Sequence, residues 1–328
     1  MNLKFLYKCL IILVNKSSIM VGGQAVIEGV MMRVPGSYAT AIRDSKGNIQ
    51  TEFHHFTSLA EKYQIKHIPI VRGFVHLVES MKIGYRTLDW SSKFVEENES
   101  TNKYTEIALT LFSIIFAFSL FMGIPYFLTE YILQYQLESN NNITFNILAG
   151  CVRILVFLIY LIVISRLSDV KRLFAYHGAE HKVVYNFESG DKINIKNAKK
   201  FSTKHPRCGT SFVFILMLVT ICTYSVLDST ISNIFLIEFN IATRLLFHML
   251  CLPLVIGFGY EVLKFLSTRQ SITFFSLLSK PGLWLQNITT KEPTDLELEV
   301  GIVALQSAFG KNNLENLKGQ KFTAEAIG

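Results

Sequence analysis

His177 and His181 stand four residues apart in the stretch YHGAEHK, with Glu180 beside the second histidine. On a helix, positions i and i+4 share a face, so both imidazoles reach a single metal ion. The order H-x-x-E-H is the inverted zincin arrangement, in which that glutamate serves as general base. Farther along, His205 and Cys208 stand three apart in HPRCGT. Either supplies a third ligand, and a thiolate favours zinc over other divalent metals. Glu188 is a further carboxylate in the same segment. The bland reading starts from the eight histidines of the chain, among which a pair four apart arises by chance in roughly one sequence in six, and in about one in a hundred with the adjacent glutamate. Gly178, inside the motif, also costs a helix about 1 kcal/mol. On that reading the segment is a hydrogen-bonded loop that meets anionic headgroups through Lys171, Arg172 and Lys182.

Two other carboxylates are within the reach of such a site. Glu28 lies in GGQAVIEG, whose glycines do not have dinucleotide-loop spacing and instead point to a tight turn or a close backbone approach. Glu261 falls near the end of an apolar run, on the same side of the membrane as His177, so it is a candidate to join the site.

These groups must be positioned by a largely apolar chain. It has 328 residues, half of them hydrophobic, with a mean hydropathy of +0.34. Four runs have the length and apolarity of membrane spans: 107–128, 146–165, 211–227 and 241–263. The second carries Arg153, and the fourth carries Arg244, which faces a bundle interior or snorkels, and His248, which reads as a hydrogen-bonded core histidine rather than a proton relay. The short run TISNIFLIEF between the third and fourth reads as interfacial. The net charge of +7 is dispersed over loops, and no nucleic-acid signature stands out. Residues 129–145 and 228–240 contain no Lys or Arg, whereas 166–210 contain ten. The positive-inside rule then puts both termini and the central segment on the cytoplasmic or stromal face. The five cysteines are odd in number and mostly within apolar runs, so no disulfide framework is expected.

The expected architecture is an α-helical multi-pass membrane protein of four spans with a small cytoplasmic α+β N-terminal region. Residues 1–20 form an extension, and Met20 is an alternative start. Residues 21–106 hold a hairpin, in which Ile42 and Ile49 flank a turn on Ser45, Lys46, Gly47 and Asn48. A helix follows with an apolar stripe of Phe74, Leu77, Val78, Met81, Tyr85 and Leu88, placing this region at the membrane surface. Residues 107–263 are the bundle, with the candidate metal site in its 166–210 loop. Residues 264–328 are a cytoplasmic tail, in which Pro281 and Gly282 mark a turn and Thr294 and Glu297 form a capping box.

Taken together, GGQAVIEGVMMR, YHGAEHK, HPRCGTSF and PGLWLQNITTKEPTDLELEV resemble the YqhQ-like family of bacterial membrane proteins (DUF1385), over about 21–304. The resemblance implies a multi-pass membrane protein, described for the family only as a predicted metal-dependent enzyme and otherwise uncharacterised; the richness in Ile, Asn, Lys and Phe fits a bacterial inner membrane or a plastid membrane. By position it carries over Glu28, His177, Glu180, His181, His205 and Cys208.

Two functions compete. The first is a zinc-dependent hydrolase at the cytoplasmic membrane face, with His177 and His181 as ligands, His205 or Cys208 as third, and Glu180 as base. The second is a membrane scaffold or assembly factor, in which His177, His181, His205 and Cys208 close a four-ligand structural site. Transport has less support, because the spans lack paired carboxylates and show no broken-helix signal beyond Pro125 and Pro253.

Overall fold

The computed structural model describes residues 21–94, 103–137, 141–267 and 273–310; the expected N-terminal extension lies outside them. Four strands open the chain: β1 (Gly22–Val26), β2 (Gly29–Val34), β3 (Ser37–Arg43) and β4 (Ile49–His55), paired antiparallel in sequence order. The β3–β4 hairpin is the expected one. The β1–β2 hairpin is additional, and it turns through Ile27 and Glu28, with Glu28 at φ 53°. Two glycines are required by close approach. A Cβ on Gly29 would sit 2.2 Å from the Ala41 carbonyl, and one on Gly23 would sit 2.4 Å from that of Met31.

Helices follow in order: α1 (Leu59–Lys62), α2 (Val71–Ser92), α3 (Lys103–Phe118), α4 (Ile124–Ile132), α5 (Asn142–Ile164), α6 (Ser168–Ser189), α7 (Ile195–Ala198), α8 (Gly209–Phe235), α9 (Ile241–Ser267), α10 (Thr273–Thr289) and α11 (Asp295–Phe309). Four helical stretches are long and apolar enough to cross a membrane: Ile107–Tyr135, Asn142–Ile164, Gly209–Phe235 and Ile241–Leu266. The first includes π-helical turns at Ser119–Gly123 and Leu133–Leu137. Arg153 donates from Nε to the carbonyl of Phe121 in the first of these turns (3.0 Å), which gives this mid-span cation a backbone partner.

The small α+β unit is assembled from three separated parts of the chain. One face of the sheet (Val30, Met32, Val34, Ala39, Ala41) packs on Val183, Val184 and Phe187 of α6 and on Leu298, Leu305 and Ala308 of α11. The other face (Val26, Met31, Tyr38, Ile42) packs on Ile83 of α2. What the sequence presents as a central loop is therefore mostly a core helix. The α11 capping box is present, with Thr294 and Glu297 in their expected roles.

Several boundaries differ from expectation: the first apolar stretch runs to Tyr135 rather than ending at residue 128, and the second begins at Asn142 rather than at 146. Pro281 and Gly282 lie inside α10 rather than at a turn. Gly282 lets α10 approach α8, since a Cβ there would be 2.7 Å from that of Ser211. The third span also does not end at residue 227. It runs on to Phe235, because Asp228 is drawn into the bundle instead of marking a solvated loop. The Asp228 carboxylate accepts from Arg244 (2.8 Å), His248 Nε2 (2.8 Å) and Asn146 (2.7 Å), and all four residues are buried. The Arg244 guanidinium also lies 4.0 Å above the Phe145 ring and donates to Asn142. Arg244 thus pairs within the bundle and does not snorkel, while His248 is the hydrogen-bonded core histidine anticipated for it.

Candidate metal centre

α6 carries His177, Glu180 and His181, and its helical turn brings the two imidazole centroids to 4.5 Å. Gly178 is dictated by what lies across that helix. A Cβ there would stand 2.0 Å from the carbonyl of Lys291, so the chain leaving α10 can cross α6 only at a glycine. The helical cost of this glycine is offset by the packing it permits.

Each histidine is oriented by a backbone carbonyl. His177 Nδ1 lies 2.8 Å from the Thr289 carbonyl, and His181 Nδ1 lies 2.5 Å from that of Thr203. A carbonyl only accepts, so both Nδ1 atoms donate, which leaves each Nε2 as the candidate ligand atom. Ligand histidines are held in this way, by an outer hydrogen bond that fixes tautomer and ring angle. Cys208, the residue that precedes α8, points its sulfur into the same space, 3.1 Å from His177 Nε2 and 3.1 Å from the Thr210 hydroxyl.

Donor atoms of His177, His181 and Cys208 all lie within 4.8 Å of one another. Tetrahedral zinc with two imidazoles and one thiolate needs donor separations of about 3.5 Å. The fit therefore requires shifts of about 1 Å, and the N, N, S donor set matches zinc in softness.

Glu180 is buried beside this triad, with Oε2 3.4 Å from His181 Nε2. Burial is the largest influence on its carboxyl and pushes its pKa up; opposing this are His177 and His205 nearby and a hydrogen bond from the Gly23 backbone. β1 thus closes against Glu180: a Cβ on Gly23 would lie 2.9 Å from Glu180 Cγ.

The other sequence candidates are placed elsewhere. His205 is not in the three-donor group. Its ring faces Glu188 (3.6 Å) and Arg207 (3.3 Å), and burial lowers its pKa against the opposing pull of Glu188. Gln286, fully buried on α10, holds the His205 backbone through both its N–H and its C=O, each at 2.8 Å, and donates to Ser211 at 3.0 Å. Glu188 pairs with Arg207, Glu28 with Arg172, and Glu261 with Arg72 through two bonds of 2.7 and 2.5 Å. These three carboxylates are engaged by arginines. The sequence could not reveal the carbonyls of Thr203 and Thr289 or the bridging role of Gln286, because a backbone acceptor carries no residue type.

The chain is 32% identical over 301 residues to "Uncharacterized protein YqhQ" of Bacillus subtilis (strain 168), covering 86% of this chain and 89% of that one. No solved structure matches it. Residues 68–311, which include all of α6, Cys208 and Gln286, match the family described as "Protein of unknown function (DUF1385)", and the chain belongs to that family.

Proposed function

We propose that this protein is an integral membrane zinc enzyme, a hydrolase whose site lies at the cytoplasmic or stromal membrane face. The observation that carries this reading is that three donors converge while the fourth sequence candidate, His205, is turned to Glu188 and Arg207. Three protein ligands with a vacant coordination position are the pattern of catalytic zinc, and four that of structural zinc. A zinc ion held there supplies Lewis acidity and lowers the pKa of water. His177 and His181 hold their rings through the Thr289 and Thr203 carbonyls, Cys208 gives the thiolate, and Glu180 takes and returns the proton from its enclosed position. Sidedness follows the distribution of Lys and Arg, which puts α6, α11 and both termini on the positive face.

The alternative is a scaffold or assembly factor with a closed structural zinc. It gains support from burial, since His181 is 2% and Cys208 8% exposed. Metal analysis of detergent-purified protein, paired with the Glu180→Gln variant in a complementation assay, separates the two. The enzyme keeps zinc and loses function, whereas the scaffold keeps both. Folded wild-type protein that neither contains nor takes up zinc overturns both.

A further inference from the structure

Among the described residues, most of the apolar stripe of α2 is uncovered. Val78, Met81, Tyr85 and Leu88 are 45, 66, 76 and 41% exposed, although they recur at helical spacing on one face. The opposite face is occupied: Ile83 packs on Val26, Met31, Tyr38 and Ile42 of the sheet, and Thr87 accepts from Gln24 of β1 (2.8 Å). The sheet therefore lies on one side of α2 and the stripe looks away from it.

The start of α2 fixes its depth. Gly257 of α9 lies against the Ile70 carbonyl, with only 2.2 Å to where a Cβ would be, and Gly73 of α2 lies against Tyr260 at 2.7 Å. Arg72 and Glu261 clamp the same contact. Gly257 stands nine residues before Leu266, the end of the fourth apolar helix. At 1.5 Å per residue, that is about 14 Å inside that end. α2 thus begins at the depth of the apolar belt that exposes Leu254, Phe258 and Phe265 on α9. Lys82, exposed, borders one edge of the stripe, while Arg86 beside it bonds Tyr38 of β3.

On these contacts, and resting on the reading of α9 as a membrane span, we propose that α2 is an in-plane helix seated in the lipid leaflet on the side of the candidate metal centre, its stripe in the acyl boundary. The occupant is phospholipid, because the stripe is apolar, starts from a contact well inside the apolar run of α9, and has the cation Lys82 along one edge. The consequence is a fixed height for the site. β1 joins α2 through Gln24 and meets Glu180 through Gly23, so the depth of α2 sets the distance of Glu180 from the headgroups.

The test uses the full chain in nanodiscs, with Trp90→Phe and Trp284→Phe removing the native indoles. Single tryptophans are placed by Met81→Trp, Tyr85→Trp, Leu250→Trp on α9, and Lys93→Trp. Lipids brominated near the top of the acyl chain should quench the tryptophans at 81 and 85, as they quench the one at 250, and aqueous iodide should leave them unchanged while quenching the one at 93. If bromolipid quenches at 250 but at neither 81 nor 85, the in-plane helix is wrong: iodide quenching then means a water-facing stripe, and none means a protein cover. Loss of bromolipid quenching at 250 as well would overturn the membrane reading with it.

Discussion

The Nε2 of His177 and the Sγ of Cys208 lie 3.1 Å apart, although the two residues are 31 positions apart in the chain. This contact joins α6 to the start of α8, and in the proposed site it favours Cys208 over His205 as the third ligand. Zinc content should therefore fall below stoichiometric in His177→Ala, His181→Ala and Cys208→Ser, while His205→Ala should retain it with a loss of affinity no larger than the roughly 10–100-fold of an outer-sphere effect. Metal analysis by mass spectrometry after gel filtration reads this directly. Equal loss in His205→Ala and Cys208→Ser would make His205 a ligand and favour the four-ligand scaffold.

Glu180 is the residue on which the catalytic reading turns. The Glu180→Gln side chain keeps the size and the capacity to accept from the Gly23 N–H, but it cannot shuttle a proton. Stoichiometric zinc, unchanged thermal stability and a loss of about 100-fold or more in complementing activity are expected. Full complementation by this variant would remove Glu180 from the chemistry.

The proposed orientation of the bundle rests on where Lys and Arg are absent. A cysteine placed by Glu238→Cys, between α8 and α9, should react with an impermeant maleimide on intact cells, and one placed by Lys192→Cys, after α6, should react only after permeabilisation. The reversed pattern would invert the topology and move the metal centre to the other face.

How much of this was legible depended on whether the signal was local. The β3–β4 turn, the α11 capping box and the shared face of His177 and His181 rest on residues within a few positions of one another, and all are present. The β1–β2 turn is closed by Gly29, one of the glycines that point to a tight turn, but its central residues are Ile27 and Glu28 rather than Gly or Asn, and Arg172 of α6 engages Glu28 there. Pro281 reads as a break, yet α10 tolerates it while Gly282 packs on Ser211. The same gap applies within the site. Residue types named four of its sides, but nothing local said that His205 would turn toward Glu188, and that orientation is what separates three ligands from four.

Asp228 was the least legible residue, since a lone carboxylate after an apolar run looks like the end of a span. Its role follows from charge. Arg244, 5% exposed, would lose its buried counter-ion in Asp228→Ala, and His248 Nε2 would lose its acceptor. Breaking one partner of a buried pair typically costs about 3–5 kcal/mol, more than either charge contributes at a surface. Asp228→Ala should therefore lower the midpoint of detergent unfolding sharply. Replacing both partners, Asp228→Ala with Arg244→Leu, should recover part of the loss, because no uncompensated charge is left in the bundle. Zinc content should be unchanged in both, since Asp228 lies 20 residues from Cys208, about 30 Å along α8. A double variant no more stable than Asp228→Ala alone would show that the ion pair is not what holds α8 and α9 together, and would leave the hydrogen bonds to His248 and Asn146 as the interactions that matter.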